Sequence, residues 1–421
     1  MKKIIAITQI ITVIIAICIA PTVFAGGYRV SLQGQQAQGM AHAGTAMSDS
    51  SEVVYFNPAG MSFLNSDMQV TGGLTLIDAV TKFQNENTNT SEQTDNPIGT
   101  PVSLYATKKY DDNLSYGLGI YTPYGNAVEW EQDWAGSHLV NDIELKAIYI
   151  QPTISYKIND KYSIGFGPTY VLGSVEFNRN LSTSLSDANG NRSNVTLNAD
   201  NIGAWGYNVG FLAKPIDKLS IGVGYRSKVV LKARGENADF ENLPGTMQSA
   251  YADTTFDANL VLPAELSLGF AYKLTPKTTL AFDFNRTFWN AYTNLDVQFD
   301  NAAGTSLNPR NYEVSNIYRV GLQHVINEKF TVRGGMYVDK SPIQSGYFTP
   351  ETARNDSLGL TAGASYQMSR NLGIDLSFLY LTFDEFEGSY DYYDQSGKLV
   401  SFGGSYITSV YTLGLGFNYT F

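Results

Sequence analysis

Residues 411–421 read YTLGLGFNYTF and close the chain. Large apolar side chains occupy every odd position of this stretch, and Thr, Gly or Asn occupies every even position. Such alternation places the two sets on opposite faces of a β-strand. A tilted strand of about 9–11 residues spans the hydrocarbon core of a bilayer. The stretch therefore predicts a transmembrane strand with its apolar face toward lipid.

The same alternation recurs along the chain in fourteen segments, counting this one. The connections between them alternate between six short polar turns and seven long loops. Short turns on one side and long loops on the other are typical of outer-membrane barrels. We therefore predict an all-β protein, a 14-stranded antiparallel transmembrane β-barrel of the bacterial outer membrane. An even number of strands places both termini on the short-turn side, in the periplasm.

The first 25 residues differ from this pattern. Lys2 and Lys3 precede an almost wholly apolar run, and small residues follow at the positions that a signal peptidase reads. We expect residues 1–25 to be a signal peptide, residues 26–65 a plug and residues 66–421 the barrel. Cys18, the single cysteine, would leave with the signal peptide.

Residues 26–64 are rich in Gly, Ala and Ser and contain no long apolar run. A segment of this length cannot bury a core of its own. A lumen inside fourteen strands is wide enough to leak, because sixteen to eighteen strands already form an aqueous channel. The small residues on the predicted inner faces cannot fill it. We therefore predict that this segment is a plug inside the barrel.

Several short motifs stand out along the chain. They are GMAHAG at 39–44, the turn NPAG at 57–60, LPAELSLGFAY at 262–272 and shorter stretches around Tyr318, Arg333 and Asp339. Together they resemble the motifs of the FadL family of outer-membrane transporters. The resemblance implies passive uptake of hydrophobic molecules, with long-chain fatty acids as the first expectation and aromatic hydrocarbons as the alternative. It also implies a substrate pocket near the plug and sideways release through a gap in the third strand.

The third predicted strand runs into Pro123 and Gly125, which suit such a gap. Proline cannot donate a hydrogen bond to a ladder, and glycine permits a bulge. Alternatively, Pro123 merely ends the strand. We predict that the plug turn packs beside this interruption and lines a lateral exit. The turn consists of Asn57, Pro58, Ala59 and Gly60.

Alternation also places charged side chains in the lumen. Arginine binds carboxylates through paired hydrogen bonds, so three lumen arginines are candidate substrate ligands. These are Arg226, Arg319 and Arg333. The alternative is a structural ion-pair network with the lumen-facing residues Glu265, Asp283, Asn285, Tyr337 and Asp339.

Other function classes find less support in the sequence. The three histidines have no metal-binding spacing, and no nucleophile-elbow motif is present. We expect no catalytic residue, no metal and no cofactor. Removing the signal peptide would leave 26 basic and 39 acidic residues, which argues against a nucleic-acid partner. An outer-membrane enzyme and a surface adhesin remain as alternatives of another class.

Three kinds of partner are expected instead. They are a hydrophobic small molecule, the lipid of the outer membrane and, during biogenesis, the barrel assembly machinery. The aromatic C-terminal residue Phe421 resembles the signal that this machinery reads. Trp130 and Trp134, in the long loop after the third strand, are predicted either to form an apolar landing site or to join an aromatic girdle.

Overall fold

The computed structural model describes residues 27–85, 88–181, 185–393 and 398–421, so the predicted signal peptide lies outside the described residues. Fourteen barrel strands run through the described chain, and two of them, β7 and β8, are each interrupted once. They are β1 (Met68–Asn85), β2 (Val102–Lys109), β3 (Leu114–Glu129), β4 (Asp142–Asn159), β5 (Tyr162–Asn180), β6 (Asn194–Ile216), β7 (Leu219–Arg226 and Val229–Glu241), β8 (Thr254–Leu262 and Glu265–Thr275), β9 (Thr278–Thr287), β10 (Ser315–Val325), β11 (Phe330–Asp339), β12 (Ser357–Gln367), β13 (Leu372–Phe383) and β14 (Leu399–Thr420).

Each strand pairs antiparallel with its neighbours, and β14 pairs with β1 to close the ring. The closing register runs from Gln69 opposite Thr420 to Asn85 opposite Gly404. The backbone N–H of Phe421 donates to the Met68 carbonyl at 3.1 Å. The predicted 14-stranded antiparallel barrel is confirmed. Closure satisfies the edge groups that an open sheet would present to lipid.

The six predicted tight turns all lie where strands end on one side of the barrel. Several strands are longer than their alternating segments. β14 has 22 residues, twice the stretch that predicted it. Its first half pairs with an added strand, Phe386–Tyr393, on the long-loop side. Backbone pairing continues there because hydrogen bonds do not require a lipid-facing side chain.

The two faces of the barrel wall have the predicted character. On β14, Leu413 and Leu415 are each 57% exposed on the outside, whereas Thr412 between the strands and the plug is 2% exposed. The lipid-facing surface is therefore apolar and the inner surface is small or polar. Among the described residues, no helix has the length and apolar character needed to cross a membrane.

The segment from Gly27 to Leu64 is packed against the inner wall. It forms two short helices, Gln35–Gln38 and Val53–Phe56, and a 3₁₀ helix, Pro58–Phe63. The wall residues opposite it are often glycine because the plug backbone lies where a side chain would be. A Cβ at Gly222 would come within 2.1 Å of the Thr45 carbonyl oxygen. We call residues 35–64 the plug body and residues 28–33 the strap.

Candidate functional site

The wall is irregular at β3, where the sequence suggested a gap. β3 pairs with β4 along its length, with a shift in register between Tyr121 and Tyr124. Its pairing with β2 stops at Ile120 opposite Leu104. Pro123 lies in the irregular segment and has no N–H to donate. Beyond Ile120, β3 therefore presents a free edge on the β2 side.

The strap covers this free edge. The Val30 N–H donates to the Pro123 carbonyl at 2.9 Å, and the Gly125 N–H donates to the Tyr28 carbonyl at 3.1 Å. The Gln33 side-chain amide donates to the Thr122 carbonyl at 2.8 Å. The strap thus pairs with β3 as a short added strand and satisfies its backbone groups.

The prediction that the turn of residues 57–60 lies beside this interruption is wrong. The Asn57 side chain donates to the Phe211 carbonyl on β6 at 3.0 Å. The Ala59 carbonyl accepts from Ser155 on β4 at 3.2 Å and from Ser163 on β5 at 2.8 Å. The turn is placed there because those strands supply hydroxyl donors and glycines that make room for it. Alternation within one strand does not reveal which plug segment faces which strand.

Arg29 holds the strap to the opposite part of the wall. Its guanidinium donates to Glu265 at 2.9 Å and to Asp339 at 2.7 Å, and all three side chains are largely buried. Sequence reasoning placed both acids in the lumen but missed their partner. Arg29 is the only Arg or Lys in residues 26–64, so charge complementarity was the available signal.

The three arginines proposed as substrate ligands all face the interior, and all contact protein groups. Arg226 donates to the Tyr55 carbonyl at 2.9 Å and stacks on the Tyr55 ring. Arg319 donates to the Ala41 carbonyl at 3.0 Å. Arg333 donates to Gln323 at 2.8 Å. These contacts hold the plug and the wall, and a role in binding substrate stays a prediction.

An apolar cavity lies above the plug on the long-loop side. Its volume is ≈ 120 Å³, against ≈ 20 Å³ for the polar cavity between Arg226, Arg319 and the plug. Tyr28, in the strap, lines it. The other lining side chains are mostly aliphatic or aromatic and include Leu145, Val175, Ile202, Leu231, Phe256, Leu260, Tyr292 and Phe299. Such a lining suits an apolar ligand with few polar anchors.

Arg179 is one of two arginines in this cavity, and the sequence analysis missed it. The other, Arg310, is paired with Glu351 at 2.8 Å. In the described part of the chain, Arg179 makes two long hydrogen bonds, to the His138 carbonyl at 3.3 Å and to Ser306 at 3.4 Å. Within the described residues, no carboxylate oxygen lies within 4 Å of its guanidinium. Most of its donors are thus available to a ligand.

Neither prediction for Trp130 and Trp134 is correct. Both are buried, at 3% and 2% exposure, and their rings stack at 4.1 Å between centroids. The Trp134 N–H donates to the Val140 carbonyl at 2.7 Å. The pair forms part of a core between loops with Phe83, Phe348 and Tyr406. The aromatic girdle instead includes Trp205, which is 70% exposed.

No group of three His, Cys, Asp or Glu side chains in the described chain is arranged to hold a metal ion. The site therefore consists of an apolar cavity, a cation at its wall and a strap between the cavity and the free edge of β3.

Known proteins resemble this chain over nearly its whole length. Outer membrane protein P1 of Haemophilus influenzae is 24% identical, over 85% of this chain and 86% of that protein. The long-chain fatty acid transport protein of Escherichia coli O6:H1 is 22% identical, over 92% and 95%. The crystal structure of a Pseudomonas aeruginosa FadL homologue superposes with a TM-score of 0.83 at 18% identity, covering 94% of this chain and all of that one.

The family model for outer membrane transport proteins matches residues 16–421. The chain is an outer-membrane protein and belongs to the OMPP1/FadL/TodX family of transport proteins.

Proposed function

We propose that this protein takes up long-chain fatty acids passively, through the apolar cavity and a lateral exit beside β3. The proposal rests on the position of the strap. It lines the cavity through Tyr28 and covers the free edge of β3 through the backbone of residues 28–30. A solute in the cavity therefore has one short segment between it and a break in the wall.

The plug body supports a sideways route over an axial one. Wall donors and close-packed glycines hold it, as at Gly222 against Thr45 and at Ser163 against Ala59. Moving the plug body would break buried contacts with several wall strands, whereas the strap is held by the two ion pairs of Arg29 and by its short ladder to β3. An apolar solute also gains by passing into lipid instead of water.

Arg179 favours fatty acids among hydrophobic substrates. A carboxylate is the ligand group that a guanidinium with free donors binds best. The apolar lining receives the hydrocarbon chain, and Arg179 receives the head group. An aromatic hydrocarbon would use the same lining without Arg179, and it remains the second candidate because the cavity is rich in aromatic contacts.

The test compares three ligands on two variants. Arg179→Met should weaken binding of oleate by roughly 1.5–3 kcal/mol and leave binding of oleyl alcohol nearly unchanged. Arg286→Met, exposed on the outer face of β9, is the matched control and should change neither. Equal loss for oleate and its alcohol would contradict a head-group role. Tight binding of toluene with no measurable binding of oleate would favour the aromatic substrate.

A further inference from the structure

A second break in the wall lies between β6 and β7. The two strands pair from Asn194 opposite Glu241 to Asn198 opposite Asn237, and again from Asn208 opposite Arg226. Between these two ladders, the described residues 199–206 and 228–236 have no paired partner across the two strands. Most residues of each stretch remain paired on their other side, with β5 or β8. The break is thus a slot between two strands that are each held by their outer neighbour.

Backbone conformation explains where the strands separate. At the upper end of the slot, Asn201 and Gly235 both have left-handed backbone, with φ of 56° and 64°. Both lie at irregularities in the ladders to their outer neighbours. Bulges of this kind bend and twist a strand away from its partner. At the lower end, the Ser227 N–H donates to the Tyr207 carbonyl at 2.9 Å and closes the slot.

The inner edges of the slot are walls of the apolar cavity. Ile202 of β6 and Leu231 and Ala233 of β7 line that cavity. Apolar side chains at the edges of the slot therefore also line the cavity. The cavity and the slot are adjacent parts of one apolar region.

The outer edges lie at the boundary between lipid tails and head groups. Trp205 is 70% exposed, next to Tyr170, with 4.9 Å between ring centroids, and apolar outward residues continue below it at Tyr207, Val209 and Phe211. An exposed Trp at the end of an apolar belt marks the membrane interface. Water reaches that depth, so the unpaired backbone groups of the slot are tolerated there.

We propose that this slot is a lateral port through which apolar chains pass from the outer leaflet into the cavity. The port rests on the proposed uptake of hydrophobic solutes and adds its source, the membrane itself. It lies between β6 and β7, three strands along the ring from the lateral exit proposed beside β3. A solute dissolved in the outer leaflet would then reach the cavity without crossing water.

A cross-link across the slot tests this. Counting five residues down from Asn198 and five back from Asn237 places Gly203 opposite Lys232, and both are exposed. The chain has no cysteine beyond Cys18, so Gly203→Cys with Lys232→Cys introduces the only thiols of the described residues. A short bis-maleimide should join them. We expect the cross-linked protein to lose most of its uptake of labelled oleate by whole cells.

The matched control joins Asn198→Cys to Asn237→Cys, which ties the same two strands outside the slot. It should leave uptake unchanged. Heat-modifiable migration checks that both barrels are folded. A single variant, Gly203→Phe, adds a ring on the outer face at the slot, beside Tyr170, without a cross-link and should reduce uptake as well.

The outcomes separate the two proposals. Uptake that persists in both the cross-linked slot pair and Gly203→Phe would overturn the port. No uptake of oleate by the protein before cross-linking would instead overturn the proposed function. Equal loss in the slot pair and in the control pair would show a general effect of tying β6 to β7, and would also overturn the port.

Discussion

Arg29 Nη2 lies 2.7 Å from Asp339 Oδ2, so the segment that covers the free edge of β3 is fastened to β11 across the lumen. The same guanidinium binds Glu265 on β8 at 2.9 Å. One buried cation therefore holds the strap in its closed position against two carboxylates. Opening the lateral exit requires these ion pairs to separate or the strap to bend around them.

Replacing this cation should loosen the strap. Arg29→Met leaves two buried carboxylates without their partner, which costs roughly 3–5 kcal/mol for a buried pair. We expect lower thermal stability in detergent and faster uptake of fatty acid. Adding Glu265→Gln and Asp339→Asn to Arg29→Met should recover much of the stability. If the single variant took up substrate no faster than the parent, the strap would not limit transport.

Locking the strap to β3 should have the opposite effect. A Cβ at Gly125 would lie 3.7 Å from Val30 Cγ2, so cysteines at these two positions are close enough to form a disulfide. Val30→Cys with Gly125→Cys should block uptake when oxidised and restore it after reduction. Each single cysteine variant serves as the control for oxidation. Unchanged uptake by the oxidised double variant would remove the lateral exit beside β3.

The plug body should seal the barrel only if the wall residues that face it are small enough for it to pack in place. Gly222→Val would place atoms within 2.1 Å of the Thr45 carbonyl, so we expect the plug to be displaced and the barrel to leak. Cells should become sensitive to bulky hydrophilic antibiotics. Gly245→Val is the matched control, since nothing lies within 4 Å of its Cβ position. Normal resistance in the Gly222→Val strain, with folded protein present, would count against this account.

Glu52 should make plug docking dependent on pH. Its carboxylate accepts from the Gln36 N–H at 3.1 Å and the Ala37 N–H at 3.0 Å inside the plug. Burial, with repulsion from Asp375, raises the Glu52 pKa from 4.5 to about 8. An undocked plug loses this proton near pH 4.5, whereas the docked plug keeps it to about pH 8. The free energy of docking therefore weakens as pH rises between these values.

The loss across that range is at most about 5 kcal/mol, and Glu52→Gln should flatten the dependence. The measurement is the thermal midpoint of the protein in detergent from pH 4 to pH 9. A parent protein equally stable across that range, or a Glu52→Gln variant with the same slope, would show that Glu52 does not titrate as described.

The sequence alone determined the barrel. In each strand, side chains alternate between lipid and the barrel interior, so apolar residues recur at every second position. Residues 411–421 alternate between lipid and interior, and the same pattern elsewhere predicted strand number, tight turns and the lumen-facing Arg319 and Asp339. The plug was also predicted from the small residues on the inner faces of the strands and from the segment 26–64, which has no strand pattern. These inferences need only local periodicity and the chemistry of lipid and water.

Only the tertiary structure decided which residues meet across the lumen. Arg29 faces Glu265 and Asp339, the turn at Asn57 lies on β4 to β6, and Arg179 enters the apolar cavity. The slot between β6 and β7 likewise depends on two distant bulges, at Asn201 and Gly235. Alternation states whether a side chain points inward but not what it meets there. Those contacts depend on how the ring closes and how the plug lies inside it.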